Sequence, residues 1–377
     1  MRRTAVCLAA VARVAAADEP PHGTGWKITV EGGGEADTNV QHVETGPGID
    51  PPVAAAVLRF GGRVEHKDQL VGGTYALGLS ALARQVLDGG LDVEDVVLLT
   101  GNLRWLHPVG ERPVSLGFAL TAADDVPTAD AVGARTFRNL GADGVLALKL
   151  GDERQLTLAA GGRQFIYKPD HQFDWIGPTA TARLDLVLWQ SEGGTRSIDL
   201  ATTLGYEARA YDSHALANAC APGSRPDPTC FAGTDLLRRD RVQRAAVELT
   251  WIGGGQVLGV GYQLTVIDSN SFGQSLVRHR VTASATASLP WRLYGTALAT
   301  LELDQYLDGL LVQSDIVRRE FTNLDDENRS SLQFRLARAL TEAWSIEARS
   351  AVWRDLGNVM DTSYKRSLIY LGAIYAN

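Results

Sequence analysis

Along Leu276 to Leu289 the chain alternates apolar and polar residues with a period of two. Val277, Val281, Ala283, Ala285, Ala287 and Leu289 hold one parity, and Arg278, Arg280, Thr282, Ser284, Thr286 and Ser288 hold the other. Successive side chains of a strand point to opposite faces, so this stretch predicts a strand with one oily and one wet face. The split recurs where Ala180, Ala182, Leu184, Leu186 and Leu188 oppose Thr179, Thr181, Arg183 and Asp185. It recurs again where Leu332, Phe334, Leu336 and Leu340 oppose Gln333 and Arg335, and where Trp344, Ile346, Ala348 and Val352 oppose Ser345, Glu347 and Arg349.

The joins between such segments come in two lengths. Short ones are read at Leu106 to Arg112, Gly151 to Arg154, Ser191 to Thr195, Gly253 to Gln256, Leu289 to Trp291 and Thr341 to Ala343. Longer ones, rich in Gly, Pro, Asp and Asn, are read at Glu35 to Val53, Ala122 to Asn139, Lys168 to Gly177, Asp212 to Arg239, Asp268 to Ser275, Gln305 to Asn328 and Asp355 to Lys365. Up-and-down strands put joins of one parity on one side, and outer-membrane barrels keep one side tight while the other grows. The expected fold is all-β, a transmembrane up-and-down antiparallel β-barrel of about 16 strands, with roughly 14 to 18 compatible with the length. A soluble sheet shows the same alternation with its oily face turned inward. Against that alternative stand charges set deep within strands, at Arg183, Asp185, Asp199, Glu207, Arg209, Arg244, Glu248, Arg278, Arg280, Glu302, Arg335, Glu347 and Arg349.

Tryptophan is placed by height. Trp26, Trp105, Trp251, Trp291 and Trp344 fall toward the short joins, and Trp175 and Trp353 toward the long ones, as interfacial aromatic girdles predict. Aromatic residues that merely terminate strands give the same positions. Trp189 also lies at the short-join side but breaks the parity of its strand, so it is expected to face the lumen.

The 377 residues carry a formal net charge of −8, which excludes a phosphate-binding surface for nucleic acid. Arg2 and Arg3, the small apolar run Thr4 to Ala16, and Ala15, Ala16 and Ala17 before Asp18 match a signal peptide over residues 1–17, leaving 18–377 as the barrel. Export to the bacterial outer membrane follows, with outer-membrane lipid as the expected surroundings. Cys220 and Cys230 share the longest join, and in an oxidising compartment so close a pair predicts a disulfide.

A barrel of about 16 strands leaves an aqueous interior. Mixed charges lining it would either set up fields that select solutes or merely brace the wall as cross-strand ion pairs. The expected function is an aqueous channel for passive or semi-selective passage of small solutes. A terminal conduit of an export system with a periplasmic partner, and a non-conducting surface-binding barrel, are the alternatives. Catalytic patterns such as Gly-x-Ser-x-Gly or His-Glu-x-x-His do not occur, so no enzyme activity, cofactor or metal is expected. His171 beside Asp170 and Asp174 is the nearest approach to a catalytic cluster. The acidic run Asn323, Asp325, Asp326, Glu327 and Asn328 lacks the spacing of a calcium loop.

Trp26 to Val30, followed by Gly32, Gly33, Gly34, Glu35, Ala36, Asp37, Thr38, Asn39 and Val40, resembles the opening strand of bacterial outer-membrane barrels of the surface-lipoprotein-assembly-modifier and polysaccharide-export type. The end of the chain, Tyr370 to Asn377, is similar to the C-terminal insertion signal of such barrels, with Gly372 and Tyr375 at matching positions and Asn377 where an aromatic residue is usual. These segments cover barely a tenth of the sequence and specify class, not substrate. The resemblance implies recognition by the barrel-insertion machinery. The exporters carry helical repeats ahead of the barrel, for which there is no room here, so a free-standing channel is expected, alone or as a homo-oligomer.

Overall fold

The computed structural model describes residues 25–46, 50–88, 91, 94–127, 136–168, 170–312, 329–356 and 363–377. The segment expected to be a signal peptide, with Cys7, and the acidic run 323–328 lie outside these residues. In chain order the strands are β1 (Gly25–Asp37), β2 (Ala55–Leu70), β3 (Gly73–Val86), β4 (Val96–Pro108), β5 (Val114–Pro127), β6 (Phe137–Gly151), β7 (Arg154–Tyr167) and β8 (Trp175–Gln190). They continue as β9 (Ser197–Asn218), β10 (Phe231–Gly253), β11 (Gln256–Ser269), β12 (Leu276–Leu289), β13 (Leu293–Tyr306), β14 (Ser330–Ala339), β15 (Trp344–Arg354) and β16 (Lys365–Ala376). Each pairs antiparallel with its sequence neighbours, and β1 pairs with β16 from Thr29↔Ala376 to Asp37↔Leu368, closing the sheet. The fold is the expected 16-stranded transmembrane barrel. Closure leaves no edge, so every strand finds ladder partners without water.

Which face is oily decides the surroundings. On β16, Ile369 and Leu371 are each 65% exposed, whereas Leu368 and Tyr370 between and beside them are 4% and 1% exposed. The same outward parity holds Phe60, Leu79, Leu204, Val260, Leu301 and Phe334, all exposed. A soluble monomer rarely exposes an apolar patch larger than about 300–600 Å², so this continuous belt needs hydrocarbon. The alternative of a soluble sheet is thereby overturned: the apolar belt is outside, and Arg59, Arg84, Arg209, Arg278 and Arg366 are inside. No helix among the described residues is long and apolar enough to cross a membrane.

Connections on one side are short and on the other long, and β1 starts and β16 ends on the short side. Two departures from the sequence reading stand out. Between Val53 and Leu106, where no join was expected, the structure has a two-residue hairpin at Val71 and Gly72 and a longer connection over 87–95. Both hairpin residues have positive φ, 52° and 73°, the geometry of a primed turn that sequence usually announces with Asn-Gly or Asp-Gly. A β-branched valine at the first position hides it.

The second departure is the join read as Asp212 to Arg239, most of which is strand. β9 and β10 run 22 and 23 residues, about twice the 9 to 11 that a tilted strand needs to cross a bilayer. Their hairpin projects beyond the long-connection rim, still paired at Phe231↔Asn218, and only 219–230 form its tip. Cys220 and Cys230 are disulfide-bonded across that tip, with Cα atoms 4.9 Å apart.

Candidate functional site

The interior wall is the candidate site, and strand parity builds it. All thirteen charged residues expected inside, Arg183, Asp185, Asp199, Glu207, Arg209, Arg244, Glu248, Arg278, Arg280, Glu302, Arg335, Glu347 and Arg349, lie on the inward face of their strands. Register then pairs them. Arg280 is directly opposite Glu302 and Arg278 opposite Asp304, giving contacts of 3.9 Å and 2.7 Å, with Arg278 also 3.3 Å from Glu302. Glu207 holds Arg209 at 2.5 Å and Arg244 at 3.8 Å. Arg183 and Asp185 pair at 2.8 Å along one strand face. Asp199 accepts a hydrogen bond from Ser197 Oγ at 3.3 Å, and Glu248 faces inward between Ala201 and Gly261.

The largest array was only partly legible in sequence. Arg335 and Arg349 are directly opposite on β14 and β15, and Glu347 ion-pairs with both. Arg349 reaches across β16 to Glu31 on β1 at 2.6 Å. Arg59 on β2 lies 3.4 Å from Glu31 and 3.6 Å from Glu35. Arg84 on β3 pairs with Glu35 at 3.4 Å and Asp37 at 2.5 Å, and Asp37 also binds Arg366 on β16 at 2.6 Å. Five guanidiniums and four carboxylates thus form one chain across the closure seam. Glu31, Glu35, Asp37, Arg59, Arg84 and Arg366 escaped the sequence reading. The signal was there as inward parity in β1 to β3, but a segment whose turn is hidden cannot be assigned a face.

Carboxylates sit deep in this wall and several guanidiniums reach past them. The Glu347 and Glu302 side chains are 0% and 3% exposed, while Arg335, Arg280 and Arg244 keep 26%, 23% and 37%. Burying both members of an ion pair costs more in desolvation than attraction returns unless hydrogen bonds are complete. A guanidinium left in contact with water avoids part of that cost.

The seam is also thin. Gly33 and Gly372 are directly opposite, and a Cβ on Gly33 would lie 2.7 Å from both Gly372 Cα and the ring of Tyr370. Tyr370 instead lays its ring over the glycines, 4.7 Å below the Arg349 guanidinium. Tyr375, the other residue of the expected insertion signal, is on the outward face of β16, opposite Trp344.

Aromatic residues divide between the two faces in a way that corrects part of the girdle. Trp26, Trp105, Trp251, Trp291 and Trp344 are at the short-connection side, and Trp26 packs against His66 with ring centres 4.2 Å apart and planes tilted by 37°. Trp175 and Trp353 are at the long-connection side but face inward, buried beneath Arg209 and Arg366 at 4.6 Å each. They are lumen platforms for arginine, not lipid anchors. Parity decides this: Trp353 shares its side with Glu347 and Arg349. Trp189 is corrected in the opposite sense. A register shift between Val187 and Trp189 resets the parity, so Trp189 lies opposite Ile198 on the outward face, in line with Trp251.

An inward cluster at the long-connection mouth was not expected. Phe137, Phe165 and Trp175 stack in series at 5.8 Å and 6.1 Å, joined by Leu98, Tyr167, Phe173 and Tyr211. Connections tuck into the same mouth: Val40 packs on Val57 and Val86, and Leu311 on Ile267, Leu276 and Tyr306. His171 caps this region in the connection before β8. Its Nδ1 lies 2.8 Å from Asp174, which raises the imidazole pKa above its ordinary value through that hydrogen bond. Asp170 instead accepts from the backbone and side chain of Gln172, as a turn cap. The described residues hold no group of three or more metal-type ligands.

No family model and no curated protein matches the chain. Among solved structures it is similar to OccAB3 of Acinetobacter baumannii, at 8% identity and a TM-score of 0.45, covering 93% of this chain and 98% of that one. It is similar to a bacterial polysaccharide outer membrane secretin, at 9% identity and a TM-score of 0.43, covering 93% and 98%. It is similar to a triple mutant of the Rhodopseudomonas blastica porin, at 8% identity and a TM-score of 0.38, covering 94% and 99%.

Proposed function

We propose that this barrel resides in a bacterial outer membrane and forms an aqueous channel for small solutes. One observation carries the reading: inside a closed barrel of 16 strands, Arg244 and Arg335 keep 37% and 26% of their side chains in contact with solvent, while the apolar side chains of the strands face out. Barrels of about 16 strands enclose more space than their own side chains fill, and a charged wall is tolerated only against water. The wall would bind nothing tightly. Its alternating charges would orient and sort passing solutes through local fields. In this reading the chain performs no reaction, and His171 with Asp174 braces a connection. Gly372 and Tyr375 belong to the final strand that the insertion machinery would recognise. Reconstitution in a planar bilayer tests the proposal. Stepwise ohmic conductance from the purified chain is expected, and a silent bilayer containing verified, folded barrel overturns it.

A further inference from the structure

We infer that the outer face of β15 and β16 holds one phosphorylated lipid from the leaflet on the long-connection side, its phosphate at Arg354 and Lys365. These two residues are directly opposite in the ladder, both exposed, and on the outward parity. Like charges so placed destabilise a sheet. Elsewhere the protein resolves such conflicts itself. Arg59 and Arg84 are directly opposite and share Glu35, and Arg335 and Arg349 share Glu347. On the outer face of the same rim, Arg138 is opposite Asp124 and pairs with it at 2.6 Å, and Arg241 is opposite Asp268. Arg354 and Lys365 have no carboxylate between them among the described residues. An anion bound between the two cations would relieve the conflict.

The surface below identifies that anion as part of a lipid. Descending the outward face of β15 from Arg354 come Val352, Ser350 and Ala348, at about 3.3 Å of rise per residue. Ser350 is flanked by Phe334 on β14 and Ile369 on β16, and Ala348 by Leu336 and Leu371. Small residues between large ones make a furrow, and Phe334, Leu336, Ala348, Ser350 and Ile369 line one end of a broad depression that continues over Ala297, Gly295 and Ala285 to Leu258 on β11. One strand spacing, about 4.8 Å, is also the width of an acyl chain. Free phosphate has no use for this furrow. The site needs the lipid-facing exterior but not a conducting lumen, so a silent bilayer leaves it standing.

Purified full-length barrel in detergent micelles is titrated with fluorescent phosphatidic acid, with diacylglycerol of the same chains, and with inorganic phosphate as competitor. Phosphatidic acid is expected to bind at least about tenfold tighter than diacylglycerol, a difference of about 1.4 kcal/mol. The double variant Arg354→Gln, Lys365→Gln should lose that preference, and Arg354→Lys should keep it. Ser350→Phe, which fills the furrow and spares both cations, should weaken both lipids. An unchanged preference in the double variant, wild-type binding by Ser350→Phe, loss of preference in Arg354→Lys, or displacement by inorganic phosphate as effective as by phosphatidic acid each overturns the inference.

Discussion

Replacing Glu347 by Gln keeps the shape of the side chain and removes one charge from the middle of the seam array. Glu347 is fully buried and lies between two arginines that face each other across β14 and β15. Without it, Arg335 loses its one carboxylate partner among the described residues, while Arg349 retains Glu31 at 2.6 Å. Removing one partner of a buried ion pair costs about 3–5 kcal/mol. Here Arg335 is about a quarter exposed and can rehydrate, so we expect a loss nearer 2–3 kcal/mol, scaled down from that range. With a urea dependence of about 1–3 kcal/mol per molar, the unfolding midpoint in detergent should fall by roughly 1 M. Adding Arg335→Gln should recover at least about 1 kcal/mol, because the two residues are directly coupled. A midpoint for Glu347→Gln equal to wild type, or a double variant whose cost is the simple sum, refutes the claim that Glu347 clamps two facing arginines.

Other consequences are measurable by independent means. Cys220→Ser should destabilise the tip of the β9–β10 hairpin by about 2–3 kcal/mol of loop-closure entropy; protease cleavage within 219–230 should accelerate while the barrel keeps its conductance, and unchanged cleavage would contradict the assignment. The His171 contact with Asp174 contributes below the ordinary imidazole pKa and is lost as pH rises through the elevated one, since the folded state holds the proton more tightly. An NMR titration should therefore place His171 above free histidine and Asp174→Asn should bring it back, whereas an unshifted imidazole defeats the reading. Fluorescence quenching by brominated lipid should fall in Trp344→Phe and stay unchanged in Trp353→Phe; the reverse result would return Trp353 to the lipid face.

Much of this architecture is local and so was legible in sequence. A strand's period of two assigns each side chain a face without reference to any other strand, which is why thirteen inward charges could be named and why Trp353 could have been placed with Glu347 and Arg349. The same logic fails wherever the backbone departs from regularity. Val71 adopts a left-handed conformation that valine does not advertise, and one hidden turn left Arg59 and Arg84 without a face. A single register shift beside Trp189 turned its ring from lumen to lipid.

The amino-acid sequence alone determined that the chain would form alternating strands, each with one oily and one wet face, and that they would close. Those follow from hydrophobic pattern and from the need to satisfy every backbone amide. Only the tertiary structure decided which charges meet. Arg349 and Glu31 are 318 residues apart, and nothing near either one names the other. Their contact exists because the last strand closes on the first in one register, and a slip of one residue would turn every side chain of that strand to the opposite face.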